Sequence, residues 1–242
     1  AYYIKVAKQH LPLAIDVVSD MLLNSKFDAK ELEKEKGVIV EEINMYEDNP
    51  MMFLHDVFEE EMYKDTNLGW LIAGSRETVR ATTQEAMVNY KNSHYRGDNT
   101  VVAVAGNLPD NITDMVQEAF APLEGEEKEN GFGYDGYTHE QDAPRVRLMH
   151  RESEQAQVGI GFPSYAYDHK DLMVSKLLAT ILGGNMSSRL FVEVREKRGL
   201  AYMVRAGVSA YQDTGNFMVQ TGLDKERVEA AITVIREQFE LL

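Results

Sequence analysis

The chain contains no cysteine, which excludes disulfides and thiolate-held zinc. Basic residues are in short supply: 25 Lys and Arg stand against 40 Asp and Glu, a formal net charge of −15. That surplus repels phosphate backbones and anionic lipid, which argues against nucleic acid and membrane surfaces as partners. No apolar run is long enough to span a bilayer, and the opening Ala1-Tyr2-Tyr3-Ile4-Lys5 lacks the layout of a signal peptide. An initiator Met is missing, and the closing Phe239-Glu240-Leu241-Leu242 falls inside a helical pattern, so both ends read as cut from a longer protein.

What is present is 242 residues of ordinary soluble composition, 44% hydrophobic, enough for one large domain or two small ones. Tyr3 to Ala7 and the β-branched run Thr100 to Ala105 predict strands, the second of them buried. Pro12 opens a predicted helix with Leu13, Val17 and Met21 at helical spacing. Asp28 with Glu31, and Asn49 before Pro50, mark the starts of two more. From Glu124 to Ala143 the texture turns acidic and Gly-rich without any apolar period, which predicts a linker. Beyond it, Arg145 to His150 and Gln157 to Phe162 alternate like strands, and two helical stretches follow. Leu200 to Ala210 and Asn216 to Gly222 read as a hairpin ahead of a last helix. Strand pairs mixed with helix pairs in both halves predict an α+β fold. The expected division is 1–124, a linker over 125–143, and 144–242.

The helix that follows Asp28 carries the chemistry most plainly. Glu35 and Glu42 are seven apart, so they share a helix face. At three and four residues on either side, Glu42 is flanked by Val38, Ile39, Met45 and Tyr46, all apolar. A lone carboxylate buried in such a stripe costs several kcal/mol unless a cation, a metal or a proton compensates it. Periodicity alone leaves two readings open, a charged surface helix with Glu42 paired to an arginine, or a carboxylate metal ligand. Glu33, Lys34 and Glu41 lie on other faces and read as solvated.

The segment Leu32-Glu33-Lys34-Glu35-Lys36-Gly37-Val38-Ile39-Val40-Glu41-Glu42-Ile43 resembles a pattern of the pitrilysin/insulinase family of zinc metallopeptidases, in the bacterial branch akin to mitochondrial processing peptidases. By that resemblance Glu42 is a zinc ligand that completes a site begun by an upstream H-x-x-E-H, and Glu35 is a supporting carboxylate. No such pair exists among His10, His55, His94, His139, His150 and His169, none of which is assigned to metal. The chain is therefore expected to be an internal fragment lacking the imidazole ligands. Two neutral imidazoles and one carboxylate would leave a fourth zinc position open for water.

A second resemblance to the same family runs from Gly183-Gly184 through Ser188-Arg189-Leu190-Phe191 and Val194-Arg195-Glu196 to Gly199-Leu200-Ala201-Tyr202, a nearly complete match to its second signature. It implies that Arg195 and Tyr202 hold substrate backbone and stabilise the oxyanion. Without the signature they would read as a surface arginine and a half-buried strand tyrosine. Weaker echoes lie at Asn67 to Gly74 and at His94 to Asn99. The family implies two similar domains, each a largely antiparallel sheet backed by helices and both incomplete here. It also implies Zn2+ as cofactor, a peptide or presequence-like substrate, a homodimer, and a bacterial cytoplasmic setting ahead of a mitochondrial matrix. The rival readings are an inactive regulatory or core subunit of the same family and an acidic protein-interaction module.

Overall fold

The computed structural model describes residues 1–123 and 136–242, so the larger part of the expected linker lies outside the described residues. They gather into two compact units, 1–41 with 75–123 and 42–74 with 136–242.

The first unit is helical. Helix α1 (Leu11–Leu23) has Pro12 in its first turn, where the missing N–H costs no bond. Helix α2 (Ala29–Asp48), whose residues from Glu42 onward belong to the second unit, begins at Asp28, whose carboxylate accepts from the Lys30 and Glu31 amides at 2.9 and 3.1 Å. Among the helices of the second unit, α3 (Pro50–Met62) is capped by Asn49, whose side-chain oxygen accepts from Met51 and Met52. Back in the first, α4 (Arg76–Ala81) starts on a Ser75/Thr78 capping box, and Thr83 caps α5 (Gln84–His94). Helix α6 (Ile112–Phe120) packs on α1.

The two strands expected in this unit do not form among the described residues. An extended run becomes a strand only when a neighbour takes up its N–H and C=O groups. Here Tyr3 is 91% and Val101 92% exposed. Both runs border a groove of about 720 Å³ over Ala14, Ile15, Val18 and Phe120. Side chains tie them together instead: the Tyr2 and Tyr95 hydroxyls are 2.9 Å apart, and Lys8 Nζ donates to Asn107 at 2.8 Å.

The antiparallel sheet belongs to the second unit. Strands β1 (Gln155–Ser164) and β2 (Ala201–Ala210) flank a central β3 (Gly215–Asp224), in the order β1-β3-β2. The expected strand at Arg145 to His150 does not join it among the described residues. Val146 and Leu148 are exposed, while the Arg145 guanidinium donates to the Met62 carbonyl at 2.9 Å and Arg147 pairs with Glu60. One sheet face receives helix α7 (Leu172–Gly183), a π-helix (Phe191–Glu196) and α8 (Val228–Glu240). Leu182, Leu190, Val194, Val219, Leu223, Ala231 and Ile235 make the core between them. These are helices with an antiparallel sheet, an α+β fold.

Helix α3 covers the other face, and it explains why a central strand buried from Gly215 to Leu223 carries polar side chains. Asn216 donates to the Tyr63 hydroxyl at 3.1 Å. Gln220 donates to the Met51 carbonyl at 2.6 Å and accepts from Arg205 Nε at 2.9 Å. The Asn216 and Gln220 side chains thus find hydrogen-bond partners that offset the desolvation cost of their burial. Burial pushes the Tyr63 hydroxyl above its ordinary range, so it stays protonated. Gly161 on β1 leaves room for the Phe58 ring of α3, and Gly159 for the Met218 side chain of β3.

A closer approach occurs where α7 ends. A methyl group on Gly183 would sit 2.3 Å from the Ala206 amide nitrogen and 2.8 Å from the Arg205 carbonyl carbon. Neither is the end of a flexible side chain, so the helix would have to move off the sheet. Gly183→Ala is expected to destabilise the second unit by about 3 kcal/mol, the upper end for overpacking. Equilibrium denaturation checks it; an unchanged midpoint would mean that α7 does not press on β2 in this way.

Candidate active site

Helix α2 buries one line of side chains and shows another. Ile43 is its buried residue, with Leu32, Lys36 and Val40 half-buried along the same side. Glu35 and Glu42 both lie on the exposed side. Val38, Met45 and Tyr46 beside them are 52, 56 and 44% exposed, and Ile39 is half-buried. This corrects the expectation that the stripe around Glu42 is buried. The physical reason is that α2 is apolar on two sides, and the one through Ile43 supplies the packing. Glu42 is therefore a solvent-facing carboxylate within an exposed apolar patch. Such patches mark surfaces that receive another element or a ligand more often than plain solvated faces do.

In the second unit the structure brings Arg195 and Tyr202 together. The Arg195 guanidinium carbon lies 5.1 Å from the Tyr202 ring centroid and 4.8 Å from that of Phe191, both within cation–π range. Arg195 occupies the last turn of the π-helix. Tyr202 falls at the register shift of β2, where Ala201 pairs with Leu223 and Met203 with Gly222. It is thus the extra residue of a bulge, and its ring is 75% exposed. A π-turn and a β-bulge, each an irregularity enriched near functional sites, flank the connection between the two side chains. The sequence predicts a helix and a strand here but neither irregularity; the nearest signal is Gly199, which ends the helix at φ +54°. Glu193 pairs with Lys197 and Arg198, each at 2.6 Å, and they hold its carboxyl below the usual range. Arg195 faces the two rings, with its Nε 3.9 Å from the Glu196 carboxylate.

The histidines do not converge. His94 stacks on Tyr90, His169 on Tyr165, His139 lies 3.2 Å from the Tyr137 hydroxyl, and His55 faces Glu59. Among the described residues no group of three or more His, Asp or Glu could hold a metal ion. Glu42 nevertheless suits zinc as one member of a larger set, being an accessible oxygen donor that the fold does not occupy with a core contact.

Comparison with known proteins gives the family of the chain. A family model described as Insulinase (Peptidase family M16) matches residues 1–76, and one described as Peptidase M16 inactive domain matches residues 81–242. The chain belongs to the M16, or insulinase, peptidase family. It is 35% identical to the uncharacterized zinc protease YmxG of Bacillus subtilis, over 100% of this chain and 58% of that protein. It is 38% identical to an uncharacterized zinc protease of Streptomyces coelicolor, over 99% of this chain and 53% of that protein. The chain thus spans about half the length of the curated relatives it matches. A protease structure from Helicobacter pylori shares the fold with a TM-score of 0.89 at 21% identity, covering 97% of this chain and 57% of that one. A peptidase M16 inactive domain from Pseudomonas fluorescens gives a TM-score of 0.81 at 20% identity, covering 94% and 55%. Among the described residues no helix is long and apolar enough to cross a membrane.

Proposed function

We propose that the full-length protein is a zinc-dependent metalloendopeptidase that cleaves peptides or presequence-like segments. In this reading Glu42 contributes one zinc ligand, Glu35 supports it, and the imidazole ligands come from protein outside these 242 residues. The observation that carries the reading is the Arg195–Tyr202 contact at 5.1 Å, within a chain whose relatives are named zinc proteases. When bound, zinc supplies Lewis acidity and an acidified water. The chain's own part is to position. Arg195, steadied over two rings, presents fixed N–H donors, and Tyr202 presents an exposed hydroxyl. Donors fixed in advance stabilise a developing oxyanion without reorganising during the reaction. One chain bearing both the α2 carboxylates and the Arg/Tyr pair favours a homodimer over a division of labour. The net charge of −15 would attract a basic peptide substrate, and the setting that goes with this reading is the bacterial cytoplasm.

A second reading, an inactive regulatory or core subunit, draws support from the description of the family model that matches residues 81–242. One experiment separates the two. The full-length protein is purified, its zinc measured by elemental analysis, and its cleavage of quenched peptides followed with and without a chelator. Stoichiometric zinc with chelator-sensitive cleavage supports the peptidase. A folded protein that cleaves nothing across a diverse peptide set supports the subunit. The 242-residue chain alone is expected to show no cleavage and only weak zinc affinity, since two carboxylates without imidazole make a poor zinc site. Tight stoichiometric zinc in that chain would overturn the assignment of the missing ligands to other residues.

A further inference from the structure

The turn between Arg195 and Tyr202 is held from outside the signature. Within it, the Gly199 amide donates to the Arg195 carbonyl and the Leu200 amide to the Val194 carbonyl, both at 2.9 Å. The carbonyls of Arg198 and Gly199 find their donors elsewhere. Arg227 Nη2 donates to the Arg198 oxygen and Nη1 to the Gly199 oxygen, each at 2.9 Å. One guanidinium thus spans two consecutive carbonyls, 28 and 29 residues away along the chain.

Arg227 is well placed to act as a clamp. It closes the short 3-10 turn Lys225–Arg227, which Asp224 caps by accepting from the Glu226 amide at 3.0 Å. On one side that turn continues β3, where Leu223 is fully buried. On the other it enters α8, where Ala231 and Ile235 are buried in the core. Leu223 is also the partner of Ala201, the residue before the bulged Tyr202. The clamp and the bulge therefore share the rigid end of β3.

We propose that Arg227 is a positioning residue for the Arg195/Tyr202 pair: by gripping the Arg198 and Gly199 carbonyls it fixes the turn that sets the guanidinium against the tyrosine ring. The inference rests on the reading of that pair as substrate-binding, and it adds a residue that neither signature contains. Arg227 touches no substrate. A planar fork can take both carbonyls at once, whereas an ammonium on a flexible stem takes one at a time. Gly199 has φ +54°, so the turn cannot be stiffened by an ordinary side chain at that position. The outside clamp replaces that stiffness.

The test uses the full-length protein with the variants Arg227→Ala, Arg227→Lys, Tyr202→Phe and the double variant Tyr202→Phe/Arg227→Ala. Arg227 is exposed, so zinc content should hold and the melting temperature should stay within about 2 °C. Arg227→Ala should lower kcat/KM by about tenfold and Arg227→Lys by about threefold, since residues acting through others lose such factors. The double variant should lose clearly less than the product of the two single losses, because part of the Arg227 effect is exerted through the Tyr202 hydroxyl. Hydrogen–deuterium exchange gives a readout free of activity: the Gly199 and Leu200 amides should lose protection in Arg227→Ala and regain most of it in Arg227→Lys. Unchanged exchange overturns the clamp. So does a wild-type Arg227→Ala beside an impaired Tyr202→Phe, or losses that multiply in the double variant. Wild-type kinetics in both Tyr202→Phe and Arg227→Ala beside faster exchange remove the positioning role, while the clamp stands as structure.

Discussion

Glu42→Gln in the full-length protein is expected to lose zinc by roughly a hundredfold or more in affinity, beyond the ten- to hundredfold typical of losing an outer partner. The amide keeps the size of the side chain and offers a neutral oxygen where zinc binds best to a charged one. The exposed setting of Glu42 makes the comparison clean. The substitution removes no core contact, so stability should move by no more than about 0.5 kcal/mol. Two neighbours on α2 calibrate it. Glu35→Gln lies seven residues back on the same face and should cost about tenfold, as a supporting carboxylate does. Glu41→Gln points about 100° away around the helix and should leave zinc unchanged. Elemental analysis followed by titration against a competing chelator measures all three. Equal losses at positions 41 and 42, or none at either, would move the ligand elsewhere.

The same helix shows how far the sequence could be read. Its existence, its start at Asp28 and the shared face of Glu35 and Glu42 all follow from capping chemistry and the 3.6-residue period. Which apolar side is buried does not follow, because α2 has two and periodicity ranks them equally. On α1 the visible stripe likewise misleads. Leu13 and Met21 are 59 and 57% exposed, while Ala14 and Ser19 are the buried residues. In the second unit, by contrast, alternation, the turn at Tyr211 to Gly215 and the Asp224 cap gave the hairpin and the following helix within a few residues. There the sheet, α3, α7 and α8 lie together among the described residues, so local pattern and tertiary packing agree. Thr100 to Ala105 has the composition of a strand and lacks a ladder, since β-propensity describes fitness for a pleated surface and not the presence of a neighbour. The site divides along similar lines. The pairing of Arg195 with Tyr202 was legible through the family signature, whereas the π-turn, the bulge and the Arg227 clamp depend on hydrogen bonds that no spacing rule encodes.

Tyr202→Phe tests the proposed role of that pair most sharply. The ring is 75% exposed and sits on a bulge, so removing its hydroxyl opens no cavity and leaves the core untouched. The ring also remains to stack with Arg195. Zinc content and folding should therefore match the parent, and any kinetic change belongs to the hydroxyl. If that hydroxyl faces the oxyanion, kcat should fall by roughly a hundredfold, the cost of losing one such donor. If it holds substrate backbone equally in the ground and transition states, KM should rise while kcat is nearly kept. Arg195→Lys probes the partner. It keeps the charge but gives up the planar group lying 4.8 and 5.1 Å from the Phe191 and Tyr202 rings, together with the fixed direction of its donors. A site that needs only positive charge would tolerate the change. One that needs aimed donors should lose about tenfold or more in kcat/KM. Steady-state kinetics on a quenched peptide, alongside zinc analysis, decide between these outcomes. Wild-type kinetics in both variants would take Arg195 and Tyr202 out of the active site and leave their contact as a packing feature at the end of β2.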